Sequence, residues 1–115
     1  MSVKLKRIAV AFYHLPSGRE PVREWLKSLP AADRHAIGED IATLEWGWPV
    51  GMPLCRPLKD GLWEVRSNVS GGCIARVIFC IAAGRLVLLH GFIKKTQKTP
   101  DEALTLARKR KKEIV

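Results

Sequence analysis

The chain has 115 residues, 47% of them hydrophobic, with 20 Lys and Arg against 11 Asp and Glu for a formal charge of +9. That length suits one domain (residues 1–115) around one core, and that apolar content excludes a disordered basic tail. The longest mostly apolar stretch, residues 74–92, is interrupted by Arg76, Gly84, Arg85 and His90, so it reads as strands and a turn, not as a membrane span of about 20 apolar residues.

Residues 1–4 (Met-Ser-Val-Lys) open no apolar signal region. Residues 6–13 are rich in strand formers and end at the turn His14-Leu15-Pro16-Ser17-Gly18. Pro21 suits the first turn of a helix, in which Val22, Trp25, Leu26 and Leu29 recur at i, i+3, i+4 and i+7 before Pro30 stops it. A second helix follows, with Ile37, Ile41, Leu44 and Trp48 as its buried stripe, ended by Gly47 and Pro49. Core positions are expected for Trp25, Trp48 and Trp63, while Trp46 has no clear place.

The second half changes period. Residues 62–68 alternate, with Trp63 and Val65 to one side and Glu64 and Arg66 to the other. Ser70-Gly71-Gly72 turns the chain into a strand over 73–81, apolar on both faces except for Arg76, and hence central. Ala83-Gly84 leads into a third strand over 85–93. Thr99-Pro100-Asp101-Glu102 is a helix start, with Thr99 as cap and Glu102 reaching back. In that last helix Ala103, Ala107 and Ile114 form an apolar stripe, with Arg108, Lys109 and Lys112 opposite. From residue 94 onward eight basic residues stand against three acidic ones, a field that attracts polyanions. The order is β-α-α-β-β-β-α in one α+β domain. Cys55, Cys73 and Cys80 fit neither a disulfide framework nor, with His14 and His35, a metal site, so free thiols in a cytoplasmic chain are expected.

Leu58-Lys59-Asp60-Gly61-Leu62-Trp63-Glu64-Val65-Arg66 followed by Ala75-Arg76-Val77-Ile78-Phe79 resembles the RelE/ParE toxin superfamily. The run from Leu88 to Pro100 (Leu-Leu-His-Gly-Phe-Ile-Lys-Lys-Thr-Gln-Lys-Thr-Pro), with the basic helix after it, is similar to the HigB-like, phage-derived branch. The resemblance implies a RelE-like fold: a curved antiparallel sheet with two helices on one face, a basic C-terminal helix and a basic concave face. It implies a toxin of a toxin–antitoxin pair, an endoribonuclease that cleaves mRNA, commonly on the ribosome, without metal or cofactor. It also implies restraint by a small antitoxin, often a helix-turn-helix protein. Two other classes share the fold or charge: a gyrase-poisoning toxin of the ParE kind, and a non-catalytic phage protein that binds nucleic acid.

Metal-free RNA cleavage needs a base for the 2′-OH, an acid for the departing 5′-oxygen and positive charge on the phosphoryl oxygens. Arg66, off the core by alternation, is a candidate phosphate clamp. Arg76 is costly in a central strand unless it pairs with Glu64 or faces a groove, and it matches the family's active-site arginine. The resemblance places further active-site cations at Lys94 and Lys95, and crowding by the arginines is expected to loosen a lysine's proton. His90 is the other proton-transfer candidate, against the plainer reading of a core histidine. Which group is base and which acid stays open. Arg56, Lys59, Lys98, Arg108, Lys109 and Lys112 are candidate RNA contacts. The family tyrosine or carboxylate–histidine group near the C-terminus is missing, since the one tyrosine is Tyr13.

Overall fold

Alternation is strongest in the second half of the chain, and the sheet is built around it. The computed structural model describes residues 7–95 and 98–114. In it β3 (Leu62–Val69), β4 (Cys73–Ala82) and β5 (Arg85–Lys94) run as an antiparallel meander with β4 buried in the middle. Ala83 and Gly84 both carry positive φ, 52° and 74°, the type I′ geometry that matches the twist of a two-residue hairpin. At the other end of β4 a 3₁₀ turn, Ser70–Gly72, is tied to the first helical layer. The Ser70 N–H and hydroxyl both donate to the buried Asp33 carboxylate, at 3.0 and 2.8 Å.

Two short strands complete the order β1-β5-β4-β3-β2. β1 (Ala9–Phe12) pairs parallel with β5, so the sheet is mixed rather than wholly antiparallel. Lys6, expected in this strand, and residues 1–4 lie outside the described residues. β2 (Cys55–Pro57) pairs antiparallel with β3 and is an element the alternation does not announce. Its terminal proline, which lacks a donor, suits it to an edge. Asp60 and Gly61, at φ 63° and 71°, form a second type I′ turn, closed by the Leu62 N–H donating to the Lys59 carbonyl at 3.3 Å.

The helices take opposite sides. α1 (Pro21–Ser28) and α2 (Ala31–Gly47) bury Val22, Ile37 and Leu44 against Val65, Val77, Phe79, Leu86 and Leu88, with Trp25, Leu26, Leu29, Ile41 and Trp48 packed around them. Trp48 lies just past α2 and stands edge-on to Trp63 and Phe79, at 5.0 and 5.5 Å between ring centres. Trp46 is 56% exposed, with the Arg7 guanidinium over its ring. α3 (Asp101–Ile114) buries Ala103 and Ala107 with Leu62, Ile78, Cys80, Val87 and Leu89. Because Val77 and Phe79 belong to one cluster and Ile78 and Cys80 to the other, the sheet is the middle of three layers. Each large apolar side chain so buried contributes about 1.5–3 kcal/mol.

One irregularity aims the last strand. Phe79 pairs with Leu88 and Ile78 with His90, which leaves Leu89 as a β-bulge. Before the bulge Leu86 and Leu88 face α1 and α2; after it His90, Phe92 and Lys94 fall in register with residues on the α3 side.

Candidate functional site

Register sets three neighbouring rows on the α3 side of the sheet. The middle row is Arg66, Arg76 and Phe92. On one side lie Arg56, Glu64, Ile78 and His90, and on the other Asn68, Ile74 and Lys94. Arg76 therefore faces Arg66 directly and has His90 and Lys94 as its two diagonal neighbours on β5, at the 7–8 Å or so typical of such pairs.

Two like charges set opposite each other repel, and here a carboxylate lies between them. Glu64 Oε1 accepts a 2.8 Å bond from Arg66 Nε and lies 3.8 Å from Arg76 Nε. Its Oε2 accepts from the Thr99 hydroxyl at 2.5 Å. Arg76 Nη1 donates to the Lys98 carbonyl at 3.3 Å, so the segment entering α3 is fastened to the same group. Glu64 and Arg76 are fully buried, whereas the Arg66 side chain is 18% exposed. Of the two environments that make a central arginine tolerable, Arg76 has the ion pair, and Arg66 is the arginine that reaches solvent. Burial pulls the Arg76 pKa down, Glu64 pulls it back, and Arg66 and Arg56 lower it further. It remains a cation.

His90 is half-buried and stacked on Phe92 at 5.5 Å. Burial, and then the charge of Arg110, hold its pKa below the usual imidazole value. Lys94 and Lys95 are exposed at the end of β5, where water screens them from the buried arginine. Beneath Glu64, burial and then the carboxylate's charge push the Cys55 thiol up to about 11, so it is not a nucleophile at neutral pH. Among the described residues no group of three or more His, Cys, Asp and Glu is placed to hold a metal ion.

The remaining cations divide. Arg56 belongs to the Glu64 row and Lys98 to the turn before α3, both exposed and beside the arginines. Lys59, Arg108 and Lys112 sit at the far end of α3, next to the Asp60 turn, and Lys109 is exposed on the same helix. Arg108 Nε lies 2.8 Å from Asp60 Oδ2. Arg110 instead turns inward, donating to the Leu89 carbonyl at 2.7 Å and lying 5.3 Å above the Tyr13 ring, while Tyr13 donates to Glu113.

Sequence reasoning treated Glu64 only as a partner for Arg76, although alternation already set it on the side of Arg66. Thr99 is more than a matter of emphasis: its hydroxyl goes to Glu64, and the first helical N–H groups of Ala103 and Leu104 donate to the Pro100 carbonyl. No local pattern announces a bond across 35 residues of chain.

The model of the family described as phage derived protein Gp49-like (DUF891) matches residues 24–112, which takes in most of both helical layers and the whole arginine cluster. No curated protein matches the chain. No helix among the described residues is long and apolar enough to cross a membrane.

Proposed function

The chain belongs to the phage-derived Gp49-like family of RelE/ParE-like toxins, and from that premise we propose that it is the endoribonuclease toxin of a HigB-like toxin–antitoxin pair. It cuts mRNA in the cytoplasm, on the ribosome, and so stops translation. The observation that carries this reading is the set of rows on one face: Arg66 and Arg76 side by side over Glu64, flanked diagonally by His90 and Lys94. A single phosphodiester laid across that face meets Arg66 at the surface, Lys94 beside it, and the field of Arg76 from below.

The chemistry uses the substrate's own nucleophile. The 2′-oxygen forms a bond to phosphorus as its proton leaves, the bond to the 5′-oxygen breaks, and that oxygen takes up a proton; the products are a 2′,3′-cyclic phosphate and a 5′-hydroxyl. DNA, with no 2′-OH, does not react. His90, kept neutral by burial, is suited to accept the first proton. An ammonium from Lys94 or Lys95 is suited to supply the second. The arginines stabilise the charge that grows on the phosphoryl oxygens, the largest share of such catalysis.

Arg66→Ala is the cleaner test, because Arg76→Ala leaves Glu64 as a deeply buried carboxylate with less compensation and costs folding stability of about 3–5 kcal/mol. In a translation reaction with cleavage mapping, Arg66→Ala is expected to stay folded and lose roughly 10²–10³-fold in cutting. A folded Arg66→Ala with undiminished cutting removes the assignment of the site. DNA-damage signalling without RNA cuts replaces the nuclease by a gyrase poison.

A further inference from the structure

A second group of cations lies at the other end of α3. Asp60, Arg108, Lys111 and Lys112 line an open cavity of about 500 Å³ between the β2–β3 turn and the last turns of the helix. Three cations and one carboxylate share its lining. Arg108 Nε is 2.8 Å from Asp60 Oδ2, and Lys111 Nζ donates to the Asp60 carbonyl at 2.6 Å. The ammonium of Lys111 rests on the turn itself, since a Cβ at Gly61 would come within 2.6 Å of it. The Asp60 side chain is 59% exposed and that of Arg108 39%; Arg108 Nε itself is buried and makes no hydrogen bond among the described residues, but the carboxylate stands in water, so the pair contributes little to stability. Lys59 and Lys112 are exposed beside it.

We infer that this cavity is a second phosphate site for the RNA strand, in which the Asp60 carboxylate stands where a phosphate oxygen will sit. The inference rests on the nuclease reading above and extends it to how substrate is held. From Gly61 to Arg66 the chain covers five strand steps, roughly 17 Å, and Arg56 on β2 lies in register between them. The cations thus form one track from the arginine pair along the β2 edge to the end of α3. An arginine grips two phosphate oxygens at once, and the lysines add charge without geometric demand. A resident carboxylate that is weakly held, exposed and isostructural with half a phosphate contact is readily displaced by a polyanion and by little else.

Asp60→Asn isolates the charge. Asparagine tolerates the positive φ of this turn as well as aspartate does, and it keeps the carbonyl that Lys111 uses. The probes are fully 2′-O-methylated RNA strands, which cannot be cleaved: a long one that spans both ends of the track and a short one that fills only the Arg66 end. Binding is read by fluorescence anisotropy at low salt. Asp60→Asn is expected to tighten the long strand about three- to tenfold and Arg108→Ala to weaken it by a similar factor, with the short strand unmoved. Glu39→Gln, the same charge change on the exposed side of α2, controls for net charge and is expected to shift both strands less than twofold. If Asp60→Asn only matches Glu39→Gln while Arg66→Ala still weakens binding, the second site is wrong and the nuclease reading stands. If no form of the protein binds RNA, both fall. If Asp60→Asn tightens polyglutamate but not RNA, the cavity receives an acidic peptide and the inference is overturned.

Discussion

Glu64 is what lets two arginines face each other across adjacent strands. A guanidinium taken out of water is expensive, and two of them more so, unless a carboxylate shares the space and its own lone pairs are filled. Glu64 meets both conditions, with Arg66 and Arg76 on one oxygen and Thr99 on the other. His90 carries the pH dependence of this neighbourhood. Its pKa is lowered in the folded chain by burial and by Arg110, so between the unfolded and folded values the unfolded chain binds more protons. The stability it contributes is complete above the unfolded value of about 6.5 and is lost as pH falls through the folded one. Denaturant melts of the wild type from about pH 7.5 down to about pH 5 are expected to show that decline. Melts of His90→Phe are expected to show less of it, and an equal slope in both would mean that another group is responsible.

At the scale of the elements, the bulge at Leu89 is the decisive feature. Strict alternation places His90 with Leu86 and Leu88 against the helical layer; the extra residue turns His90, Phe92 and Lys94 to the side of Arg76. Gly91 follows at once, and its lack of a side chain is required by packing. A Cβ there would lie 2.4 Å from the ring of Trp25, where α1 crosses β5. Gly91→Ala therefore has to push α1 off the sheet, at a cost of about 1–3 kcal/mol. A lowered denaturation midpoint with an unchanged slope is the expected result. A stability within about 0.5 kcal/mol of wild type would show that Trp25 moves freely.

Over the whole molecule the charge is segregated by layer. From Glu20 to Glu45, the span of α1 and α2, six acidic residues (Glu20, Glu24, Asp33, Glu39, Asp40, Glu45) outnumber three basic ones (Arg23, Lys27, Arg34), although the chain as a whole is +9. Most of the surplus lies on the sheet, its connecting turns and α3, where the arginine rows and the Asp60 cavity are. A toxin of this family implies an antitoxin partner. An acidic segment of that partner laid on the α3 side would compete with phosphate for the same cations. Association with the cognate antitoxin is accordingly expected to weaken at least about tenfold from ~50 to ~200 mM salt, measured by calorimetry. An affinity indifferent to salt would place the antitoxin on another surface.

The sequence by itself determined the order of every element except β2, the apolar stripes of α1, α2 and α3, and the central place of β4, because each is written in a local period of 2 or 3.6 that burial then satisfies. It also put Glu64 and Arg66 on one side of one strand. The Asp60-Gly61 turn and the edge strand before it were not read from the sequence, because a strand of three residues is too short for alternation to show. Only the tertiary structure decided the parallel pairing of β1, the bulge that redirects His90, and the Thr99 hydroxyl that reaches back to Glu64. Those depend on register and on contacts between distant residues. Such contacts form when whole faces are buried together, so no window of the chain contains them.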